Sequence, residues 1–335
     1  ADIHGATDEG HVTITVEGRN DKPRPAPDAT SIHEDGVRSG NVMADNGAGV
    51  DYDVDQADTL SVRRVEGQAA NVGQSIDLAA GGRVRVNADG QFWFAPAGDF
   101  EDLAVGESRT VSFAYTLGDN RGGLAQQVVT VRVDGVNDAP EAFDDALTSH
   151  EDAISFFSVF DDNGSGADFD VDGDAFSVVA VNGDAGLVDQ AIDLAGGGRI
   201  RVLADGGVYF VADGDFEDLA VGQSREVSFD YTIEDPHGET STATATVTVE
   251  GRNDAPTPAD DSGVGFAIDE DGGVTGSVLD NDADPDAGDV LEVVGIEGET
   301  DISGAGVLLA SGARASYLGG GLFSWTPSGA FDFLA

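Results

Sequence analysis

Short runs of alternating apolar and polar residues recur along the chain and are separated by turns rich in glycine and aspartate. Two such runs read TVSFAYTL at residues 110–117 and VTVRV at residues 129–133. Alternation with a period of two, carried by many β-branched residues, is typical of strands that bury one face. No run shows the 3.6-residue period of an amphipathic helix. The pattern therefore predicts an all-β chain.

The strand pattern is organised in long repeats. The sequences VEGRNDKP, VDGVNDAP and VEGRNDAP contain Asn20, Asn137 and Asn253, so the period is about 117 residues, the size of a small domain. About seven strands in such a length fit a two-sheet sandwich of immunoglobulin or cadherin type. We therefore predict tandem Greek-key β-sandwich domains arranged end to end, with repeat 1 at residues 20–136 and repeat 2 at residues 137–252.

The two ends of the chain are expected to belong to further repeats. Residues 1–19 end in HVTITVEG, which matches TATVTVEG at residues 244–251, and are predicted to be the final strand of a preceding, truncated repeat. Residues 253–335 are predicted to form a third, incomplete sandwich that lacks its last two strands. Because a sandwich without two strands exposes an edge, we interpret the chain as a fragment of a longer array. Strand addition between two molecules is the alternative.

The net charge of the chain limits the classes of partner that it is expected to bind. There are 64 Asp and Glu residues against 16 Lys and Arg, which gives a formal charge of -48. Such a chain is expected to bind neither nucleic acid nor an anionic membrane surface, and to attract multivalent cations. It has no cysteine, so disulfides and thiolate metal sites are excluded. No apolar run approaches the roughly 18 residues of a membrane span, so no membrane insertion is expected.

The acidic residues fall where domains should meet. In an antiparallel sandwich successive turns alternate between its two ends. In repeat 1 this places Glu34 and the loop at residues 99–102 at the trailing end, beside the linker Asn137–Asp138, while the loop at residues 51–58 and Asp119 lie at the leading end. The same count in repeat 2 brings three acidic groups to each junction: a trailing-end pair, a linker, and the aspartate loop of the next domain.

Such a junction suits calcium. Ca²⁺ takes about six to eight oxygen ligands, mostly from carboxylates and from amide or backbone carbonyls. Alternating acids repel each other unless a cation lies between them, so we predict Ca²⁺ at these positions. The candidate ligands are Glu34, Asp53, Asp55, Asp99, Glu101, Asp102, Asn137, Asp138, Glu151, Asp168, Asp170, Asp172, Asp215, Glu217, Asp218, Asn253, Asp254, Asp282, Asp284 and Asp286. For Asp58, Asp119 and Asp235, a turn or capping role is as well supported as ligation.

The order of these motifs resembles a known family. NDAP is followed by an aspartate pair (Asp144–Asp145, Asp260–Asp261), by Glu-Asp, and by a loop such as DNDADPD at residues 280–286. This order is similar to the tandem cadherin-like or VCBS-type repeats of large RTX-type bacterial surface adhesins, over essentially residues 20–335. The resemblance implies calcium held mainly between domains, export by a type I system, and a role as an extender between the cell and its target.

The chain also departs from that pattern. Repeat 1 has only Asp28 where the others have an aspartate pair, and Lys22 replaces alanine beside its linker. Repeat 3 has Ala330 and Phe333 where the others carry acids, which argues against an ion at its trailing end.

Other kinds of site fit less well. An EF-hand at Asp168–Gly173 fails because its twelfth position is Val179 and no helix is predicted around it. No protease, hydrolase or phosphate-binding motif is present, and acid pairs at every domain end do not fit one catalytic cleft, so no enzyme is expected. In FWF at residues 92–94, alternation places Trp93 opposite its neighbours, which favours core packing with one partly exposed ring over a sugar platform.

The sequence therefore predicts a calcium-binding structural extender of a bacterial extracellular adhesin or biofilm matrix protein, located outside the cell or at its surface. Its expected partners are calcium ions and neighbouring repeats, with a host or biofilm surface reached through other domains. The alternative is a glycan- or protein-binding β-sandwich module, which would need a non-repeated insertion or an exposed aromatic patch.

Overall fold

The computed structural model describes residues 1–262, 268, 269, 271–302 and 306–327. The chain separates into two compact units. The first contains Ala1–Asp138 together with Asp170–Asp174, and the second contains Ala139–Phe169 and Ala175–Ala335. The sandwich predicted for repeat 1 lies in the first unit, and the strands predicted for repeat 2 lie in the second.

Repeat 1 forms two four-stranded sheets, of order β1-β8-β7-β3 and β2-β6-β5-β4. Strand β1 runs parallel to β8, and the other pairs are antiparallel. A single 3₁₀ turn, Ala69–Asn71, lies between β3 and β4. The strands are β1 (Asp28–His33), β2 (Arg38–Asn41), β3 (Ser61–Val65), β4 (Ser75–Asp77), β5 (Arg83–Val86), β6 (Gln91–Ala95), β7 (Ser108–Gly118) and β8 (Leu124–Asp134).

Repeat 2 has the same topology. Its sheets have the orders β11-β15-β16-β9 and β10-β14-β13-β12, and β9 runs parallel to β16. A 3₁₀ turn at Ala185–Leu187 occupies the same place as in repeat 1. The strands are β9 (Asp145–His150), β10 (Ile154–Ser158), β11 (Ser177–Val181), β12 (Ile192–Asp193), β13 (Arg199–Val202), β14 (Gly207–Val211), β15 (Ser224–Glu234) and β16 (Thr240–Glu250). The prediction of all-β tandem sandwiches is confirmed.

The core of each sandwich follows directly from the alternation in its strands. In β6 the side chains of Phe92 and Phe94 are buried, whereas Trp93 between them is 40% exposed. Phe92 and Phe94 pack with Val84 of β5 and Phe113 of β7 in one core cluster. Each buried side chain of this size contributes about 1.5–3 kcal/mol relative to an exposed one. The predicted inward and outward orientation of this segment is confirmed.

The third region contains one sheet in its described part, of order β17-β20-β19-β18. The strands are β17 (Val274–Ser277), β18 (Val307–Leu308), β19 (Arg314–Gly319) and β20 (Leu322–Thr326). Ile302, Ala315 and Phe323 form its small core. The predicted loss of the last two strands, and the substitutions at Ala330 and Phe333, fall outside the described residues.

The segment at residues 1–19 has no assigned strand, and its residues are exposed. The apolar side chains of its alternation, Val12, Ile14 and Val16, are 86%, 79% and 88% exposed. Its assignment as the last strand of a preceding repeat stays a prediction. Over the residues that the structure describes, no helix combines the length and apolar character needed to span a membrane.

Candidate metal centre

Three linkers in the chain share one local structure. In each, the side-chain amide of the asparagine donates a hydrogen bond to the carbonyl of the next residue. The N–H of that next residue donates one to the third acid of an aspartate loop. The asparagine bonds are Asn20 to Asp21 (2.9 Å), Asn137 to Asp138 (2.9 Å) and Asn253 to Asp254 (2.6 Å). The backbone bonds are Asp21 to Asp55 (2.8 Å), Asp138 to Asp172 (2.8 Å) and Asp254 to Asp286 (2.9 Å).

The aspartate loops are shaped in the same way at all three positions. The middle acid accepts a hydrogen bond from the N–H two residues later, which turns both side chains toward the linker. These bonds run from Asp55 to Asp53 (2.9 Å), from Asp172 to Asp170 (2.9 Å) and from Asp286 to Asp284 (3.1 Å). The DxD spacing therefore fixes the geometry that brings acids together at each linker.

The acidic clusters are numbered in the order of their linkers along the chain. The second cluster, at the linker Asn137–Asp138, contains Glu34, Glu101, Asp138, Asp170 and Asp172, all within the first compact unit. Glu34 is 2% exposed, and its Oε1 accepts a hydrogen bond of 2.6 Å from Val136 N–H. Its Oε2 is buried and receives no hydrogen bond from the described part of the chain. Burial raises the pKa of Glu34, and the charges of Asp138, Glu101 and Asp172 raise it further.

The other members of the second cluster have the same electrostatic character. Burial raises the pKa of Glu101, Asp138 and Asp170, and the charged neighbours that add to each shift are all acidic. Among the described residues, none donates to the buried oxygens Asp138 Oδ2, Asp170 Oδ2 and Asp172 Oδ1. A buried carboxylate oxygen without a donor is costly. Convergent carboxylates of this kind fit a hard divalent cation, for which oxygen is the preferred ligand.

The third cluster, in the second unit, repeats this arrangement with Glu151, Glu217, Asp254, Asp284 and Asp286. Glu151 is buried, and its Oε1 accepts a hydrogen bond from the backbone N–H of Arg252. Burial, then neighbouring acids, raise the pKa of Glu151, Glu217 and Asp254. In the described ranges no donor reaches Glu151 Oε2, Asp254 Oδ2 or Asp286 Oδ1. Carboxylate oxygens of Asp284, Asp286 and Asp289 lie within 4.8 Å of one another.

The first cluster, at the leading end of repeat 1, contains Asp53, Asp55, Asp58 and Asp119. Oxygens of Asp53, Asp58 and Asp119 lie within 4.8 Å of one another. Asn20 donates a hydrogen bond of 3.0 Å to Asp119 Oδ2, and this bond is the main cause of the lowered pKa of Asp119. Asp58 and Asp119, for which the sequence left the role open, thus join a candidate metal group.

Four predicted ligands have other partners in the structure. Asp99 and Asp215 each accept a hydrogen bond of 2.8 Å from a glycine N–H, that of Gly82 and that of Gly198. Asp102 and Asp218 pair with arginines near the start of the following strands β7 and β15, at 2.6 Å to Arg109 and 2.7 Å to Arg225. Because these carboxylates shape the loop that presents Glu101 or Glu217, they are not members of the clusters defined above.

The first acid of each aspartate loop anchors that loop to the sandwich. Asp168 is buried, and it accepts hydrogen bonds from Phe143 N–H at 2.8 Å and from the Tyr231 hydroxyl at 3.0 Å. Asp51 makes the equivalent bonds in repeat 1, and Asp282 accepts one from Ala259 N–H at 2.7 Å. Asp168 and Asp282 therefore hold the loop in place, while the later acids form the clusters.

Sequence reasoning missed a buried acid beside two of these anchors, Asp51 and Asp168. Asp28 and Asp145 are both 4% exposed, and burial raises the pKa of each to about 6. Each carboxylate accepts a hydrogen bond from an asparagine, Asn46 at 2.7 Å and Asn163 at 2.8 Å. The only sequence signal was the motif position of Asp145 in its aspartate pair, which does not reveal that the side chain points inward.

Comparison with known proteins agrees with this architecture. The model of the bacterial cadherin-like domain matches residues 20–135 and 137–251, and that of a bacterial Ig domain matches residues 253–333. A comparison with curated protein sequences found no match. The third region is therefore similar to a different domain family from the two full repeats.

Solved structures similar to this chain include animal cadherin ectodomains. Domains 1-5 of protocadherin gamma B2 share 14% identity at a TM-score of 0.41, over 91% of this chain and 53% of that one. Human mucin-like protocadherin EC1-2 shares 17% identity at 0.37, over 68% and 98%. Drosophila N-cadherin EC1-4 shares 17% identity at 0.38, over 69% and 50%. The chain thus spans about half of the protocadherin gamma B2 structure.

The two cadherin-like matches together cover more than half of the sequence and coincide with the two sandwiches described above. The chain belongs to the bacterial cadherin-like domain family.

Proposed function

We propose that the chain is a calcium-binding structural extender of a bacterial extracellular adhesin or biofilm matrix protein, in which Ca²⁺ at the linkers limits bending. The observation that carries the proposal is the second cluster. It gathers carboxylates from both sides of the linker, and several of their buried oxygens lack a hydrogen-bond donor among the described residues. Acids arranged in this way repel one another until a cation neutralises them.

The residues that would hold calcium are the members of the three clusters. At the second cluster these are Glu34, Glu101, Asp138, Asp170 and Asp172, and at the third they are the matching residues of the next repeat. Bound calcium would supply the positive charge that offsets these carboxylates, and it would take several of their oxygens as ligands. The chain supplies the positions, because each loop acid is already turned toward its linker by backbone hydrogen bonds.

The proposed mechanism is thermodynamic linkage. A ligand that binds only the ordered junction stabilises it by RT ln(1 + [Ca²⁺]/Kd), about 2.7 kcal/mol per site at a hundredfold excess over Kd. Without calcium the same acids repel, and the linkers are expected to become flexible.

The proposed setting is outside the cell or at the bacterial surface. Cadherin-like and Ig-like domains are typical of extracellular surface proteins, and both matched models describe non-enzymatic structural domains. Assignment to RTX-type adhesins with VCBS repeats, and export by a type I system, follow from the sequence resemblance. The expected partners are calcium, neighbouring repeats and, through other domains, a host or biofilm surface.

Small-angle scattering during a calcium titration tests the proposal, with a chelator as the starting point and Mg²⁺ as the comparison ion. We expect the maximum dimension to become sharply defined at a stoichiometric calcium dose. Asp170→Asn with Asp172→Asn should remove the part of this response that belongs to the second cluster. The charge-matched control is Asp77→Asn with Asp193→Asn, which changes two exposed acids paired with Arg83 and Arg199. A profile that ignores calcium would refute the extender mechanism.

A second candidate function, glycan binding, is favoured by the outer face of the sheet that contains β6. Trp93 lies opposite Ser39 and Arg85, whose guanidinium carbon is 5.7 Å from the ring centroid. Trp93 and Arg85 border a shallow cleft of about 320 Å³. In repeat 2, Tyr209 occupies the same register beside a cleft of about 260 Å³. An exposed aromatic ring can pack against the face of a sugar ring, and a neighbouring guanidinium group can donate hydrogen bonds to the sugar hydroxyls.

A glycan array probed with the wild-type chain and with Trp93→Ala and Tyr209→Ala tests this candidate. Binding that the two substitutions abolish, without change in the calcium response, would support it. If no glycan binds, this candidate function is wrong and Trp93 and Tyr209 are ordinary exposed side chains of the sheets.

A further inference from the structure

A basic side chain enters the first cluster. Arg121 Nε lies 2.9 Å from Asp58 Oδ1. The side chain of Asp58 is fully buried, whereas that of Arg121 is 53% exposed. The guanidinium therefore covers an acid that water does not reach, and its own outer side remains in solvent.

The charges around Asp58 explain why Arg121 matters there. Burial raises the pKa of Asp58, and the positive charge of Arg121 lowers it. Asp55, Asp119 and Asp53 act in the opposite direction. Arg121 is thus the one basic group among the charged neighbours that act on this acid in the described structure.

The backbone directs Arg121 to this position. The N–H groups of Arg121 and Gly123 each donate a hydrogen bond of 2.8 Å to Asp119 Oδ1. The other oxygen of Asp119 accepts the bond from the linker residue Asn20. One tight hairpin therefore holds the arginine, an acid of the cluster and the linker together, so the guanidinium is tethered beside the cluster.

Acids of the other two clusters have a different set of charged neighbours in the part of the chain that the structure describes. The charged neighbours that raise the pKa of Glu34, Glu101 and Asp138 are all acidic, as are those of Glu151. In the sequence of repeat 2, DPHGE replaces DNRGG, so His237 stands where repeat 1 has Arg121. A histidine does not carry the permanent charge of an arginine.

We propose that Arg121 is a tethered counter-cation that neutralises part of the first cluster when calcium is scarce and competes with calcium for Asp58. This junction then binds calcium more weakly than the second and third clusters, and depends less on it for order. The inference rests on the proposed function, since it assumes that the clusters bind calcium. It assigns to Arg121 the role of setting the affinity of one junction relative to the others.

Arg121→Gln tests this role, because it removes the charge and keeps a similar side-chain length. The matched control is Arg83→Gln, which breaks another exposed arginine pair in the same repeat, with Asp77. Calcium binding is followed by isothermal titration calorimetry, and thermal unfolding is measured in chelator and in calcium. Arg121→Gln in an Asp53→Asn background assigns any change to the first cluster.

We expect Arg121→Gln to raise the calcium affinity of one site about three- to tenfold and leave the others unchanged. In chelator the unfolding transition of repeat 1 should shift to lower temperature, so the calcium-induced gain in Tm becomes larger. Arg121→Lys should restore most of the wild-type behaviour, and Arg83→Gln should change neither quantity. In the Asp53→Asn background the affinity gain should disappear.

Two other outcomes would separate the failure of this inference from that of the proposed function. If the chain binds calcium and Arg121→Gln behaves like Arg83→Gln, Arg121 forms an ordinary surface ion pair and the inference is wrong, while the extender proposal stands. If no variant binds calcium, the proposed function fails and the inference fails with it.

Discussion

The N–H of Asp138 donates a hydrogen bond of 2.8 Å to Oδ2 of Asp172, which lies 34 residues later in the chain. This bond fixes the linker against the aspartate loop and occupies only one oxygen of the carboxylate. The other oxygen, Oδ1, is buried and has no donor in the described part of the structure. Asp286 shows the same arrangement. Its Oδ2 accepts a hydrogen bond from the linker residue Asp254, and its Oδ1 is buried without a donor from the described residues. A single side chain therefore both orders the linker and contributes to a candidate metal site.

Replacing Glu34 with glutamine should have opposite effects with and without calcium. Burial raises the pKa of Glu34 above its ordinary value, so in the absence of a cation the ionised form opposes folding. We therefore expect Glu34→Gln to raise the Tm of repeat 1 in chelator at pH 7.5 by up to a few degrees, and to reduce the gain in Tm that calcium produces.

Glu107→Gln is the control for this change, because Glu107 is exposed in the same repeat. Differential scanning calorimetry in chelator and in calcium measures both effects. A lower Tm of Glu34→Gln in chelator would contradict this prediction. It would show that the Glu34 carboxylate stabilises the fold without a cation, through its hydrogen bond from Val136 N–H.

Asp28 should make repeat 1 less stable as the pH rises from about 4 to about 6. Its folded pKa is raised to about 6 by burial, so the folded state binds a proton more tightly than the unfolded chain does. The stabilisation from that proton is present below the unfolded pKa and is lost as the pH rises through the folded pKa. Asp28→Asn should therefore flatten this part of the pH profile.

At pH 7.5 we expect Asp28→Asn to raise the free energy of unfolding by about 1 kcal/mol, after allowing for solvent screening. Urea unfolding in chelator at several pH values measures it. The comparison is Asp77→Asn, an exposed acid whose pKa Arg83 lowers through a side-chain hydrogen bond. An unchanged pH profile in Asp28→Asn would contradict the assignment of this titration to Asp28.

Alternation and repeat spacing were sufficient to predict the sandwiches, because both depend on local sequence. Parity of the turns also placed Glu34 near Asp138, and Asp119 near the first linker. The particular partner of each acid could not be predicted in this way. Asp99 bonds Gly82, 17 residues earlier, and Asp28 lies beside a core hydroxyl, and neither relation leaves a periodic signal in the sequence. The sequence does not distinguish one acid of a loop from another, because the fold determines which of their side chains point into the protein.

Removing the hydroxyl of Tyr115 should destabilise repeat 1 by about 1–3 kcal/mol. This hydroxyl lies in the core and bonds Asp51 Oδ2 at 2.8 Å and the carbonyl of Val42 at 3.2 Å. Tyr115→Phe leaves both buried acceptors without this donor. Tyr209→Phe is the control, because Tyr209 is 42% exposed on an outer sheet face and should change stability little. Chemical denaturation of the two variants in chelator measures the difference, and equal effects would contradict the anchoring role of Tyr115.

Adding a methyl group at Gly82 should disturb the loop that presents Glu101. Gly82 has φ +78°, and a Cβ there would lie 2.6 Å from Cζ of the buried ring of Phe94. Gly98 has φ +79° and no atom within 4 Å of such a Cβ, so Gly98→Ala isolates the cost of the backbone conformation. We expect Gly98→Ala to cost about 1 kcal/mol and Gly82→Ala at least 1–3 kcal/mol more, since the core must shift to admit the methyl group.

The same pair of variants separates packing from site geometry. Gly82 N–H holds Asp99, and Asp99 precedes Glu101 in the loop, so the shift should reach the second cluster. We therefore expect calcium binding at one site to weaken in Gly82→Ala and to remain unchanged in Gly98→Ala, as measured by titration calorimetry at a temperature where both variants are folded. Equal stability losses in the two variants would mean that the ring of Phe94 moves aside at no cost, and the close approach would then not explain why glycine stands at this position.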